Sequence, residues 1–237
     1  MYDFRRRVVV VTGGGQGIGR ATADAFLAAG ATVIVWDKTA DASNAVPSPL
    51  VDVSDAGSVA RATTELLARH LQVDVLINNA GVNVGDQTAF GLSDATWEHV
   101  VGTSLKGTAN VVRAVGPAMV RRKQGRIINT GSILGRAGVP GFSAYAAAKA
   151  GIEALTRTWA RELGPYGVTV NAVVPGFIDT PLNAGLPKAL VAELIARTPL
   201  GRPGLVQDVA NAHLFLASDA AAFVNGALLH VDGGLTL

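Results

Sequence analysis

Four consecutive valines, Val8–Val11, run straight into Thr12-Gly13-Gly14-Gly15-Gln16-Gly17-Ile18-Gly19, and an Ala-rich helical pattern then continues from Ile18 to Ala29. No other stretch restricts the fold as tightly. A continuous β-branched run is the pattern of a strand buried on both faces. Glycines after it permit positive φ and let the backbone approach a ligand closely. A helix starting at such a turn aims unpaired N–H groups and the positive end of its dipole at an anion. Strand, glycine turn and helix together predict an α/β protein with a phosphate-binding loop. The spacing is Gly13-x-x-x-Gly17-x-Gly19, which differs from G-x-G-x-x-G.

The remaining chain repeats the alternation. Strand candidates are Val8–Val11, Thr32–Trp36, a short Leu50–Asp52, Val73–Asn78, Arg126–Thr130, Val168–Val173 and Leu228–Val231. Helical patterns cover Ile18–Ala29, Ser58–Arg69, Trp97–Arg121, Tyr145–Leu163 and Val206–Ala217. This order predicts a doubly wound parallel sheet with helices on both faces. With no linker or repeat, residues 1–237 are read as one domain. The Pro/Gly-rich stretch from Pro175 to Gly204 surrounds a short helical piece, Pro187–Arg197, and residues 180–200 are expected to form a lid where ligands meet the carboxyl ends of strands.

Composition narrows the function. Hydrophobic residues make up 49% and charged residues 16%, which suits a filled core. The absence of cysteine excludes disulfides, thiol nucleophiles and cysteine-based zinc sites, and no metal is expected. The formal charge is +2, and the basic runs Arg5-Arg6-Arg7 and Arg121-Arg122-Lys123 read as solvated ends of elements, so no nucleic-acid partner is expected. Val8–Val11 is too short for a leader, and no stretch approaches the roughly 18 apolar residues that span a bilayer, so a cytoplasmic protein with no membrane partner is expected.

Further motifs follow at the ends of strands: Asn78-Asn79-Ala80-Gly81, Ser132, Tyr145-Ala-Ala-Ala-Lys149 and Pro175-Gly176. With TGGGQGIG before them, their order and spacing resemble the signatures of short-chain dehydrogenases/reductases across essentially the whole chain. The resemblance implies a single Rossmann-type domain with about seven parallel strands, usually assembled as a homotetramer, the long helices Trp97–Arg121 and Tyr145–Leu163 making the dimer contact.

Tyr145 and Lys149, four apart on a helix, share a face. A phenol is a poor acid or base at neutral pH, and an adjacent ammonium favours its anion, so the pair suits proton exchange with a carbonyl or alcohol oxygen. Ser132 is expected to stabilise charge on that oxygen. By resemblance, Lys149 also binds the nicotinamide ribose. Ser104 stands where the family usually has an asparagine that holds a water linking the lysine to solvent. Its hydroxyl is shorter, so the proton relay is the part of the resemblance that this chain departs from.

For the cofactor, Asp37 ends the strand Thr32–Trp36, eighteen positions after Gly19, where a carboxylate binds ribose hydroxyls and repels a 2′-phosphate. Gln16 is neutral where NADP-preferring relatives carry a basic residue; Lys38 argues mildly the other way. NAD is expected over NADP. The resemblance places Gly13, Gln16, Gly17, Ile18 and Gly19 at the pyrophosphate, Asp52 and Val53 at adenine, and Asn79, Ala80, Gly81, Tyr145, Lys149, Pro175, Gly176, Ile178 and Thr180 along the rest of the cofactor, Thr180 at the carboxamide.

The substrate is expected to be a small secondary alcohol or ketone: a polyol, sugar, sugar acid or hydroxy acid. Pocket candidates are Asn83, Leu134, Val139, Phe142, Phe177 and Leu182–Leu186, with Arg136, Lys188 or Arg202 available to grip a carboxylate. The alternative is an NADPH-dependent 3-oxoacyl-carrier-protein reductase, resembled by GRIINTGSILG and YAAAKAGIEALTRTWARELGPYGVTVNAVVPGF. Against it, Tyr166 stands where such reductases place an arginine that docks the acidic carrier, although Lys123 supplies one charge. A non-catalytic nucleotide sensor is disfavoured by the intact Tyr145/Lys149 pair.

Overall fold

The computed structural model describes residues 2–39, 50–85 and 88–236. In chain order the main elements are β1 (Val8–Thr12), α1 (Gly17–Ala28), β2 (Thr32–Trp36), α2 (Ala56–His70), β3 (Val75–Asn78), α3 (Asp94–Val101), α4 (Gly107–Arg122) and β4 (Gly125–Thr130). Then come α5 (Leu134–Ala137), α6 (Ser143–Leu163), β5 (Val168–Pro175), α7 (Lys188–Arg197), α8 (Val206–Ala217) and β6 (Leu228–Val231). Every strand pair is parallel, in the order β2-β1-β3-β4-β5-β6. The chain leaves β1 toward one edge and later fills the other side through β3, so the loops at their carboxyl ends diverge and open a crevice.

The valine run shows why the strands read as continuous apolar segments. Val8 and Val10 pack with Leu66 of α2 and Val111 and Met119 of α4, whereas Val9 and Val11 pack with Phe26 of α1 and Leu216 of α8. Successive side chains point to opposite faces, and helices cover both. Full burial of such a side chain contributes about 1.5–3 kcal/mol, so two-sided burial fixes the strand where it lies. No helix among the described residues is long and apolar enough to cross a membrane.

Three expectations need correction. Among the described residues the sheet has six strands, not seven. Leu50–Asp52 is extended, and the Val51 amide donates to the Asp37 carbonyl at 2.8 Å. No ladder follows, because Asp52 turns its carboxylate back onto the Ser54 amide (2.9 Å) and hydroxyl (2.7 Å). Strand β3 starts at Val75, later than expected; just before it, at the amino ends of the central strands, the Asp74 carboxylate accepts from the Val8 amide at 2.8 Å and from Arg122 at 3.2 Å. The helical pattern over Trp97–Arg121 is interrupted by a π-helical turn, Gly102–Lys106, with helical backbone angles on both sides.

Where α1 meets α8, His213 is fully buried; its Nδ1 lies 2.9 Å from the Thr22 hydroxyl and its Nε2 has no partner. Burial pushes its pKa down from 6.5 to about 3. A base whose folded pKa lies below its unfolded value withholds a proton that the unfolded chain accepts. Its contribution is therefore complete above pH 6.5 and lost as pH falls toward 3. At pH 5 the expected loss is about 2 kcal/mol. His213→Gln, which cannot titrate, is expected to show a shallower fall in Tm between pH 7 and 5 than the wild type; parallel curves would remove His213 from acid sensitivity.

Candidate active site

The crevice begins at the glycine loop. Gln16 caps α1 without a side-chain bond and the first turn holds no acid, so the first-turn amides lack an intrahelical partner. Gly13 has φ +64°, and a Cβ there would lie 2.8 Å from Ala80 Cα. At Gly19 a Cβ would fall 2.0 Å from the Gly13 carbonyl oxygen, a contact that no side chain tolerates. The loop is tied to β3: the Thr12 hydroxyl accepts from the amides of Asn79 and Ala80, each at 3.0 Å, and Asn79 Nδ2 donates to the carbonyls of Thr12 (3.3 Å) and Gly13 (3.1 Å).

At the end of β2, Asp37 Oδ2 accepts from the Gly15 amide at 3.0 Å, and Oδ1 accepts from the amide and hydroxyl of Thr39 at 3.1 and 3.0 Å. A carboxylate offers about four acceptor positions, so one stays open to a hydroxyl. Unpaired amides at a helix start, a backbone cradle and this carboxylate fit a nicotinamide dinucleotide.

The opposite wall is built on β4 and α6. A chain of buried side chains joins them to β3: Asn78 Nδ2 donates to Asn129 Oδ1, and Asn129 Nδ2 donates to the Thr156 hydroxyl, both at 2.9 Å. On α6, Lys149 is 3% exposed and its ammonium donates to the Thr130 carbonyl at 2.7 Å. Burial lowers its pKa to about 8. Burial pushes the Tyr145 phenol up, and a hydrogen bond with the Ser132 hydroxyl opposes that shift. The lysine lies 5.5 Å from the Tyr145 ring centre; the lowering expected from it is not found, and burial raises the phenol. The Ser132 oxygen accepts from the Leu134 amide at 3.2 Å, so its own proton points toward the Tyr145 side of the crevice.

These walls enclose a cavity of about 430 Å³. It is lined by Gly13, Gln16, Gly17 and Ile18 from the loop, by Asp37, Asp52 and Val53, and by Asn79, Ala80 and Gly81. Ser132, Tyr145, Lys149, Pro175, Gly176, Ile178 and Thr180 complete that part. Two expected site residues stand behind the lining. Gly19 packs under the loop, and Ser104 is fully buried on the π-helical turn. The Ser104 hydroxyl sits against Val82, near its amide (3.3 Å) and carbonyl (3.4 Å), while the Ser104 carbonyl accepts from the Thr108 hydroxyl at 2.8 Å. A serine hydroxyl thus reaches the 78–82 segment, and the carbonyl of the same residue is tied to Thr108.

The substrate side is lined by Asn83, Leu134, Val139, Phe142, Phe177, Leu182 and Leu186, as expected, and also by Leu190 and Leu194 of α7. No residue of α7 is buried, and these two leucines are the ones it turns to the crevice. Their i, i+4 spacing was the available signal. Among the described residues, the charged side chains lining the cavity are Asp37, Lys38, Asp52 and Lys149. The three expected cations are absent from the lining: Arg136 donates to Glu153 at 3.1 Å, Arg202 donates to Asp208 at 2.7 Å, and Lys188 is exposed at the start of α7. Among the described residues no group of three or more His, Cys, Asp or Glu side chains is placed to hold a metal.

A parallel sheet with a dinucleotide crevice and a serine–tyrosine–lysine wall defines a nicotinamide-dependent oxidoreductase. The family model described as enoyl-(acyl carrier protein) reductase matches residues 13–236. The 3-oxoacyl-[acyl-carrier-protein] reductase of Thermotoga maritima is 38% identical over 242 residues, covering 98% of each chain. Two solved structures superpose with TM-scores of 0.92. One is a candidate NAD(P)-dependent gluconate 5-dehydrogenase from Beutenbergia cavernae with bound NADP, 37% identical over 98% of each chain. The other is a 3-oxoacyl-[acyl-carrier protein] reductase from Brucella melitensis, 35% identical over 99% of this chain and 93% of that one. The chain belongs to the short-chain dehydrogenase/reductase family.

Gly19→Ala is expected to weaken NADH binding roughly tenfold or more, the equivalent of 1–3 kcal/mol of backbone strain at the loop. Fluorescence titration of the folded variant checks it; wild-type affinity would mean that the loop relaxes freely around a methyl group.

Proposed function

We propose that the protein transfers a hydride between NAD(H) and the 3-oxo or 3-hydroxy carbon of an acyl thioester with an apolar chain. The observation that carries this reading is the absence of a cation from the described lining of the substrate side, where leucine, valine and phenylalanine side chains predominate. A sugar acid would bring a carboxylate and several hydroxyls into that wall, and desolvating them there is costly. The acyl-carrier-protein reductases among the relatives support the thioester; the gluconate dehydrogenase neighbour is the competing reading.

The roles follow from the wall. The Ser132 hydroxyl, whose oxygen accepts from the Leu134 amide, turns its proton from the Tyr145 phenol to the substrate oxygen when substrate enters. In reduction, Tyr145 gives its phenolic proton to that oxygen, and burial, which holds the phenol neutral, keeps the proton in place until it is needed. The Lys149 ammonium, anchored on Thr130, favours the tyrosinate as it forms. The nicotinamide, when bound, supplies or accepts the hydride. Asp37 favours NAD by meeting ribose hydroxyls and repelling a 2′-phosphate. The homotetramer implied by resemblance belongs to the same reading, with α4 and α6 at the dimer contact; light scattering of a monomer would overturn it.

The deciding experiment sets NADH against NADPH, with 3-oxoacyl thioesters, polyols and gluconate-type hydroxy acids as substrates or products. Thioester reduction with NADH is expected; turnover of hydroxy acids alone would replace the substrate, and strict NADPH use would overturn the role of Asp37. Tyr145→Phe is expected to lower kcat by roughly 100- to 10,000-fold with NADH affinity retained, and Asp37→Ala to narrow the NADH/NADPH ratio.

A further inference from the structure

The phenylalanine beside the catalytic wall is held at a position that only glycine behind it allows. Phe142 lines the cavity three residues before Tyr145, so both lie on one side of the start of α6. Its backbone is fixed: its amide donates to the Val139 carbonyl at 3.3 Å, and its carbonyl accepts from the Ala146 amide at 2.8 Å. Only the ring can move. Behind it, on the segment after β3, a Cβ built on Gly85 would fall 2.9 Å from Cε1 and 3.0 Å from Cζ of the ring. The far end of the ring therefore lies against the Gly85 backbone, and the side chain lines the same cavity as Tyr145.

We propose that Phe142, backed by Gly85, sets the size of the substituent that the site accepts beyond the reacting carbon. The inference deepens the thioester reading and rests on it for the choice of probe. A methyl group at position 85 has two ways to be accommodated, pushing the ring toward the reacting carbon or shifting the backbone at Gly85. With the Phe142 backbone anchored on both sides, the ring yields first and the pocket shortens. Removing the ring has the opposite effect and opens the pocket as far as the Gly85 backbone. The two changes are complementary, since an alanine methyl at 85 occupies part of the volume that the ring vacates.

The test measures kcat/KM for short and long 3-oxoacyl thioesters in the wild type, Phe142→Ala, Gly85→Ala and the double variant, with NADH affinity followed in each. Phe142→Ala is expected to raise the long-to-short ratio about tenfold, and Gly85→Ala to lower it by a similar factor, the size of effect that one or two methylenes produce in an apolar pocket. The double variant is expected to return toward the wild-type ratio, and NADH affinity to stay constant throughout. A ratio unchanged in both single variants overturns the proposal, as does a ratio that moves only in step with NADH affinity. Should Gly85→Ala fail to fold, Phe142→Leu takes its place, with a smaller shift expected in the same direction as Phe142→Ala. If the wild type turns over only hydroxy acids, the thioester reading falls, and the same ratio taken over four-, five- and six-carbon acids decides for or against the gate.

Discussion

The whole crevice hangs on a contact between two neighbouring strand ends. The Thr12 hydroxyl accepts two consecutive amides of the segment after β3, and the Asn79 side chain returns two bonds to the carbonyls of Thr12 and Gly13. Both partners are largely hidden from solvent, where an unpaired amide or carbonyl costs about 1–3 kcal/mol. The four bonds therefore hold the glycine loop and the 78–81 segment as one piece. Gly13 and Gly19 are required because this piece is so tight: at each, a Cβ would strike backbone on one side of the same contact. The unpaired amides of α1 face the crevice because the loop cannot swing away.

A second polar chain, Asn78–Asn129–Thr156, carries the same frame across to α6. It is why Tyr145 and Lys149 lie opposite the loop at a fixed separation, rather than merely on the same helix face. Lys149 has little freedom of its own: a buried ammonium with one strong acceptor, the Thr130 carbonyl, is set by the end of β4. Loop, strand ends and helix form a rigid wall, and the leucine-lined α7, with no buried residue, supplies a covering that rests on it more lightly.

Much of this was legible in the sequence, for physical reasons. Two-sided burial leaves continuous β-branched runs, and all six strands were read within two residues of their ends. The glycine loop and the Tyr145/Lys149 spacing placed the cavity correctly. What escaped were non-local matters. That Arg136 and Arg202 spend their charge on Glu153 and Asp208 depends on partners that composition cannot match. Asn79 lines the cavity, and its further role of tying the glycine loop to β3 through its side-chain amide was not legible in the motif. The short Leu50–Asp52 run has a strand's residues without a strand's ladder, and the rise of the Tyr145 pKa reflects burial, which spacing does not report. The π-helical turn leaves no trace in an apolar period, since a single inserted residue shifts the pattern by less than one turn.

That turn has a geometric consequence for the segment as a whole. One residue of an α-helix advances the side chains by about 100° of rotation. Val100 before the turn and Val111 after it are both fully buried, each in phase with its own half. Ironing the turn into regular helix would rotate one half against the other and change the face that each presents to its neighbours. The irregularity is thus locked between two correctly phased helices, like a gear tooth that cannot be skipped. The buried Ser104 rides on that tooth, so its place beside Val82 is set by the packing of residues on either side of it along the chain.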